Sequence, residues 1–222
     1  MIPAIIFYIL KKIKDRRKSR LSRLNTSVSA KLLVLALSLT SLQVFGQQDV
    51  HRYSILYKGD KVGFMQITQN KTGDSIHYKT ISDVKMSMIF SIHVATTEES
   101  MFVRDRLMSS AVVRNVNGND RVNRQLTAVN DYYMLNNQGK KKASAADAIN
   151  FNLTRLYLSE PVNKTKVWSD AYHEYLKIQQ VSPHKYKVTL PDGDFNYYYF
   201  NNGICNKVEI VHSFYTIQMV LN

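Results

Sequence analysis

The sequence predicts a mainly β protein: a curved antiparallel meander sheet, half-barrel or barrel-like, of about a dozen strands with one helical insertion. Short runs in which apolar and polar residues alternate recur along residues 50–222, and many contain β-branched or aromatic side chains. Turn clusters such as Asn117-Gly118 separate these runs. Only one stretch, near residues 145–158, has helical spacing. A sheet of that many strands must curl, close or split.

Residues 1–46 are predicted to be a basic leader and a signal peptide. Lys31 is followed by the apolar run Leu32–Leu42 and by Val44-Phe45-Gly46, which is the order of flank, apolar core and small residues in an export signal. Cleavage near Gly46 would leave residues 47–222 as a single antiparallel β domain in the periplasm or outside the cell. An uncleaved anchor, a buried core strand and a later translation start remain alternatives.

The positive charge of the chain is concentrated in this leader. The net charge is +13, and residues 1–31 hold nine of the 30 basic residues but only one of the 17 acidic ones. A nucleic-acid-binding tail would have this composition. A positively charged export flank is favoured instead, because an apolar core follows it directly. We therefore expect no nucleic-acid partner, and no later run is long and apolar enough for a transmembrane helix.

The first strands of the domain are predicted from their alternation. The runs RYSILY and KVGFMQITQ form a hairpin with a turn at Gly59 and Asp60. A long third strand covers Ser75–Phe90, with mostly apolar residues at even positions and polar ones at odd positions, which predicts one buried and one solvated face. The later predicted strands are SIHVATTEESMFV, RLMSSAVVRNV, RVNRQLTAV, DYYMLN, KVWSDAY, EYLKIQQ, KYKVTL, NYYYF, CNKVEIV and SFYTIQMVL.

The predicted helix lies near residues 145–158. Ser144 is the candidate N-cap, Asp147 follows three residues later, and Pro161 ends the segment. The stretch Asn150-Phe151-Asn152 divides it, in an alternative reading, into two short helices. The apolar stripe of this segment consists of Ala145, Ala148, Ile149, Leu153, Leu156 and Tyr157.

The layout of residues 50–222 resembles a group of exported bacterial families of unknown function. The resemblance rests on the opening YSILYKGDKVGFMQI, the long Thr/Ser/Met strand, the helix end LTRLYLSEP and the closing strands with Gly-centred turns. More distantly, the layout is similar to the half-barrels of periplasmic lipoprotein carriers and receptors. The resemblance implies a curved antiparallel sheet wrapped around or capped by the helix, and it implies no activity.

No residue pattern indicates catalysis or a metal site, so we expect no enzyme activity and no cofactor. The six histidines lack metal-ligand spacing, and Glu98 and Glu99 point to opposite faces of a strand. Cys205 is the only cysteine, so the domain must fold without an internal disulfide. Its alternation with Lys207 and Glu209 predicts the polar face of its strand.

Two further motifs are candidates for contact with a membrane, an anionic partner or nucleic acid. Lys140-Lys141-Lys142 could touch a membrane or an anionic partner, although a solvated loop is the simpler interpretation. The run NYYYF has no basic residue among its aromatics, so it does not indicate a stacking platform for nucleic acid. We interpret it as a strand buried on two sides, or as one whose outer rings cover a neighbour.

Two classes of function remain: a binding or carrier module for an apolar ligand such as a lipid, and a structural or protein-interaction module of the cell envelope with a packed core. The carrier hypothesis places a hydrophobic small molecule between the third strand and the helix, where methionines adapt to irregular partners. The predicted ligand-binding residues are Val84, Met86, Met88, Phe90, Ile149, Leu153, Leu156 and Tyr157.

Overall fold

The computed structural model describes residues 47–87, 91–144, 147–212 and 215–222. The described residues form 14 strands and one short helix, α1 (Leu153–Leu158). The strands are β1 (Gln47–Tyr57), β2 (Asp60–Thr72), β3 (Ser75–Ser87), β4 (Ser91–Val103), β5 (Arg106–Val116), β6 (Asn119–Val129), β7 (Tyr132–Asn137), β8 (Lys140–Ser144), β9 (Lys166–Ser169), β10 (Glu174–Ser182), β11 (Lys185–Thr189), β12 (Phe195–Asn201), β13 (Ile204–Val211) and β14 (Thr216–Leu221).

All 14 strands belong to one antiparallel meander sheet, which confirms the predicted fold class. The order is β8-β7-β6-β5-β4-β3-β2-β1-β14-β13-β12-β11-β10-β9. The first and last strands of the chain therefore pair with each other in the middle of the sheet, with Tyr53 opposite Leu221 and Tyr57 opposite Ile217. Within the described residues β8 and β9 are the two edges and do not pair with each other, so the sheet is not closed.

Alternation along most of the strands separates a buried face from a solvated one, as the sequence predicts. We call the face that carries the buried side chains the inner face. On β3 it carries Tyr78 and Thr80, both buried, whereas Lys79 between them is exposed on the outer face. The hairpin turns follow from residues that accept positive φ: Asn117 and Gly118 have φ of 52° and 84°. The first hairpin turns at Lys58 and Gly59, one residue earlier than predicted.

The inner face encloses two apolar clusters. The first cluster is built mainly by β1, β2 and β10–β14 and includes Tyr53, Ile67 and Val208. The second cluster is built mainly by β3–β7 and includes Tyr78, Phe102 and Leu126. Strand β9 lies between them, because Val167 belongs to the first cluster and Trp168 to the second. A strand with both faces covered by apolar side chains is part of the core although it is an edge of the sheet.

The helix is shorter than predicted. It covers Leu153–Leu158, and its N-cap is Asn152 rather than Ser144, whose backbone belongs to β8. Residues 147–151 are irregular, with the Leu107 N–H donating to the Ile149 carbonyl at 2.7 Å. This backbone bond to β5 competes with helix formation, so only the second half of the predicted segment is helical. Within the described residues, no helix has the length and hydropathy needed to cross a bilayer.

Candidate functional site

The predicted ligand-binding residues are split between the two clusters. Leu156 is fully buried in the first cluster, and Val84, Leu153 and Tyr157 pack against it half-buried. Ile149 is fully buried in the second cluster, so it does not share a surface with the helix stripe. Met86 is buried on the inner face of β3. Met88 and Phe90 lie outside the described residues, and a ligand-binding role for the whole set stays a prediction.

Polar side chains on the inner face of β3, β4 and β5 lie between the two clusters. The register places Thr80 of β3 opposite Glu98 of β4, and Ser100 of β4 opposite Ser110 of β5. Directly opposed residues in an antiparallel pair have their Cβ atoms roughly 5 Å apart. We call this group the polar seam; it consists of Thr80, Glu98, Ser100, Ser110 and Arg114, with Asn152 and Asp170 from the segments that cross the inner face.

Asn152 and Asp170 join the crossing segments to the sheet. The Asn152 Nδ2 donates to Asp170 Oδ2 at 2.7 Å and to Ser100 Oγ at 3.3 Å. The indole N–H of Trp168 donates to Asp170 Oδ1 at 3.1 Å. Burial raises the pKa of Asp170, while hydrogen bonds from Ser110, Asn152 and Trp168 oppose that rise. These contacts hold the β9–β10 turn and the start of α1 against β4 and β5.

Glu98 is the member of the polar seam whose charge is least compensated. Burial raises its pKa to about 7, the Arg114 guanidinium lowers it, and the Asp170 carboxylate raises it further. Burial also raises the pKa values of Tyr157 and Tyr198 well above the usual range, and the Glu98 charge adds to both shifts. Near neutral pH, Glu98 can therefore either donate or accept a hydrogen bond at the inner face.

A row of half-buried apolar residues lies on the same inner face as Glu98, separated from it by the polar pair Ser82 and Thr96. Val84, Val94 and Val116 are in register across β3, β4 and β5, two rows from Thr80 and Glu98. Thr80 itself is only 8% exposed, and its Oγ1 has no hydrogen-bond partner among the described residues. A buried hydroxyl without a partner costs free energy. A partly covered apolar row beside an unpaired hydroxyl and a neutral-pH carboxyl can hold an apolar molecule that has one polar end.

Of the residues of this candidate site, only Val84 is predicted from the sequence to bind a ligand, and Glu98 is not. Glu98 and Glu99 are predicted to point to opposite faces of β4, which the structure confirms: Glu99 lies on the outer face and pairs with Lys79 at 2.9 Å. The inward direction of Glu98 was a signal available in the strand alternation. Its companions Asn152 and Asp170 are 54 and 72 residues away in the chain, so no local pattern connects them.

The predicted position of Cys205 is wrong. Cys205 is fully buried in the first cluster rather than on the polar face. The ladder between β12 and β13 shifts here: Phe200 pairs with Cys205 and Tyr199 with Lys207, so Asn206 is the extra residue of a bulge. The extra residue reverses the alternation, which puts Cys205 and Lys207 on opposite faces. Burial raises the pKa of the thiol to about 12, which disfavours the reactive thiolate.

Among the described residues, no group of three or more His, Cys, Asp or Glu side chains is arranged to hold a metal ion. Four histidines pair instead with single carboxylates, as His93 Nε2 does with Asp83 Oδ2 at 2.7 Å. The Nε2 of His173 is buried without a partner in the described part of the chain. Burial and the nearby Arg124 charge lower its pKa to about 4, so the ring is neutral at pH 7.

Comparison with known proteins identifies the family of the domain. No curated protein matches the sequence. Among solved structures, the chain is similar to a beta-barrel-like protein of the domain of unknown function DUF1849 from Brucella abortus. The two share 10% identity over 82% of this chain and 98% of the other, with a TM-score of 0.45. The family model described as domain of unknown function DUF6134 matches residues 53–222, and the chain belongs to that family.

Proposed function

We propose that this protein is an exported binding module that takes a mainly apolar molecule with one polar end on the inner face of its sheet. The observation that supports this most directly is the arrangement of side chains on the inner face of β3 and β4. The half-buried apolar pair Val84 and Val94 lies on the same face as the unpaired Thr80 hydroxyl and Glu98, with one row of small polar residues between them. The apolar part of the ligand would lie along the row, and its polar end would hydrogen-bond to Glu98.

The binding test uses protein purified from the cell envelope under gentle conditions. Native mass spectrometry should find an added mass that solvent extraction removes, and a fluorescent fatty acid should be displaced by the extract. Glu98→Leu removes the hydrogen-bonding carboxyl, and Val94→Gln makes the apolar row polar. We expect each change to weaken binding about tenfold, which corresponds to the loss of one hydrogen bond or of a similar apolar contact.

Matched controls exist on the outer face of the same strands. Glu99 is the chain neighbour of Glu98, and Val113 is 39% exposed on β5. Glu99→Leu and Val113→Gln should leave binding unchanged, because neither side chain reaches the inner face. Equal loss in inner and outer variants, or bare protein mass with no fatty-acid displacement, would contradict the carrier proposal.

A second function, a structural or interaction module with a packed core, is favoured by one specific observation. The Tyr157 ring of α1 packs edge-to-face against Tyr53 and Tyr198, with ring centroids 5.5 and 5.6 Å apart. The helix stripe therefore fills space next to the first cluster. If the protein carries no ligand, this packing is the whole role of α1, and a partner protein on the outer surface becomes the function to look for.

Export is proposed from the sequence of residues 1–46, which lie outside the described part of the chain. Cleavage after Gly46 would leave every residue of β1, which begins at Gln47, in the mature protein. N-terminal sequencing of the protein from the envelope fraction should begin near Gln47. An intact Met1 on protein found in the cytoplasm would contradict both the export and the periplasmic or secreted location.

A further inference from the structure

Three aromatic side chains of β12 lie on the outer face of the sheet. Phe195, Tyr197 and Tyr199 alternate with Tyr198 and Phe200, which are buried on the inner face. The run NYYYF covers residues 196–200 of this strand. The interpretation that its outer rings cover a neighbour is the one that the structure supports, because the rings contact side chains from the strands on either side.

Lysines from both flanking strands lie over these rings. From β11, Lys187 Nζ is 4.0 Å from the centroid of Phe195, and Lys185 Nζ is 4.3 Å from that of Tyr197. From β13, Lys207 Nζ is 4.1 Å from the centroid of Tyr199. We call these six side chains the outer patch. The sequence could not show it, because each lysine reaches its ring across strands and not along the chain.

The outer patch presents positive charge and not aromatic faces. Since an ammonium group already covers one face of each ring, the rings are poorly placed to stack on a base or a sugar. The acid within the patch area, Glu209, is already engaged: the Tyr199 hydroxyl donates to it at 2.5 Å and Lys207 Nζ at 2.9 Å. Lys185 and Lys187 have no carboxylate among the ion pairs of the described residues. Lys187 can therefore donate to an external anion, and so can Lys185 through the N–H groups that do not bond to Tyr199.

The position of the patch within the sheet limits what can dock there. Strands β11, β12 and β13 are each paired along both edges, so a peptide strand cannot add to their backbones. A partner must be recognised by side chains alone, over the width of three strands. Basic groups beside phenol rings form the composition found where proteins meet lipid headgroups.

We propose that the outer patch docks this protein onto the anionic headgroups of a lipid bilayer. The ammonium groups of Lys185 and Lys187 bind lipid phosphates, and the rings beneath them hold those ammonium groups in place. This proposal does not depend on a ligand at the inner face, so either one can fail while the other holds.

The test is co-sedimentation with vesicles of phosphatidylcholine alone or mixed with phosphatidylglycerol. The protein should bind the anionic vesicles and not the neutral ones, and binding should weaken as salt is raised. Each lysine near an anionic surface contributes on the order of a fivefold gain in partitioning, so Lys185→Gln with Lys187→Gln should reduce binding about thirtyfold. The variant Lys185→Arg with Lys187→Arg should bind as the wild-type protein does, because arginine keeps both the charge and the contact with the ring.

The matched control removes the same amount of charge from another exposed strand. Lys141→Gln with Lys142→Gln removes two lysines from β8, where both are exposed. Because residues 1–31 contain nine basic residues that bind anionic vesicles themselves, all variants are compared at the same chain length.

Unchanged binding by the β11 variant, equal loss in the β8 variant, or binding to inorganic phosphate or duplex DNA without binding to vesicles would each overturn the proposal. Circular dichroism confirms that each variant is folded.

Discussion

Glu98 and Glu99 are neighbours in the chain, yet their carboxyl groups meet opposite surroundings because β4 alternates its side chains between two faces. Burial raises the pKa of Glu98 to about 7. The hydrogen bond and charge of Lys79 lower the pKa of Glu99. A raised pKa means that the folded protein prefers the protonated acid, so ionisation of Glu98 opposes folding, whereas ionisation of Glu99 favours it.

This contrast predicts a pH-dependent effect of Glu98→Gln on stability. Between pH 5 and pH 7 the wild-type protein loses stability, because Glu98 is already ionised in the unfolded chain but stays largely protonated in the folded protein, and the glutamine variant has no such group. The melting temperature of the variant minus that of the wild type should therefore rise across this range and level off above pH 7. His173, whose lowered pKa acts in the opposite direction, is present in both proteins and cancels in the difference.

Glu99→Gln is the control for that measurement. The Glu99 carboxylate titrates below its ordinary 4.5 in the folded state, so it is ionised throughout pH 5–8. Its melting-temperature difference from wild type should be small, negative and flat over that range. A flat curve for Glu98→Gln as well would show that the inner carboxyl titrates at an ordinary pKa, and the polar seam would then be better solvated than its burial implies.

At the scale of elements, the segment before and within α1 is where tertiary contacts override local pattern. Apolar spacing near residues 145–158 favours a helix, but Ile149 is drawn into the second cluster and Leu156 into the first. A continuous helix does not occur, because the backbone of residue 149 bonds to β5. Asn152 then begins α1 by accepting from the Arg155 N–H at 3.1 Å, while its amide binds Asp170.

We therefore expect Asn152→Ala to destabilise the domain strongly. The change removes a helix cap, which contributes about 1 kcal/mol. It also leaves Asp170, only 6% exposed, without its shortest hydrogen bond, at a cost of about 2 kcal/mol. A loss of about 3 kcal/mol in a domain of this size lowers the melting temperature by about 10 °C, which differential scanning calorimetry can measure.

Asn150→Ala is the matched control for the helix start. Asn150 is exposed, and it accepts from Arg155 through its backbone oxygen, which alanine retains. Its melting temperature should stay within about 2 °C of wild type, as for most surface changes. If the two variants lose equal stability, the hydrogen bonds of Asn152 do not anchor the segment.

At the scale of the molecule, alternation predicted most of the strands because one face of each is buried and the other is solvated. Strand β8 escaped prediction because KKKAS has no apolar alternation; it is an exposed edge, where lysines discourage pairing with other chains. The pairing of β1 with β14, the polar seam and the outer patch could not be predicted, since each depends on residues that only the fold brings together. The bulge at Asn206 likewise reversed the predicted face of Cys205, while Lys207 keeps the outer position that was predicted for it.

The pairing of the first strand with the last makes the sheet depend on the C-terminus. Strand β14 bonds to β1 on one side and β13 on the other, and it places the buried Met219 in the first cluster. A chain that stops after Val211 would expose both of those edges in the middle of the sheet and open the first cluster. We expect this truncated protein to aggregate or to show no cooperative thermal transition.

A chain that stops after Leu221 loses Asn222, whose N–H donates to the Arg52 carbonyl at 2.9 Å, and should melt within about 3 °C of wild type. Cooperative unfolding near the wild-type temperature without β14 would mean that the two halves of the sheet fold independently, each with its own cluster.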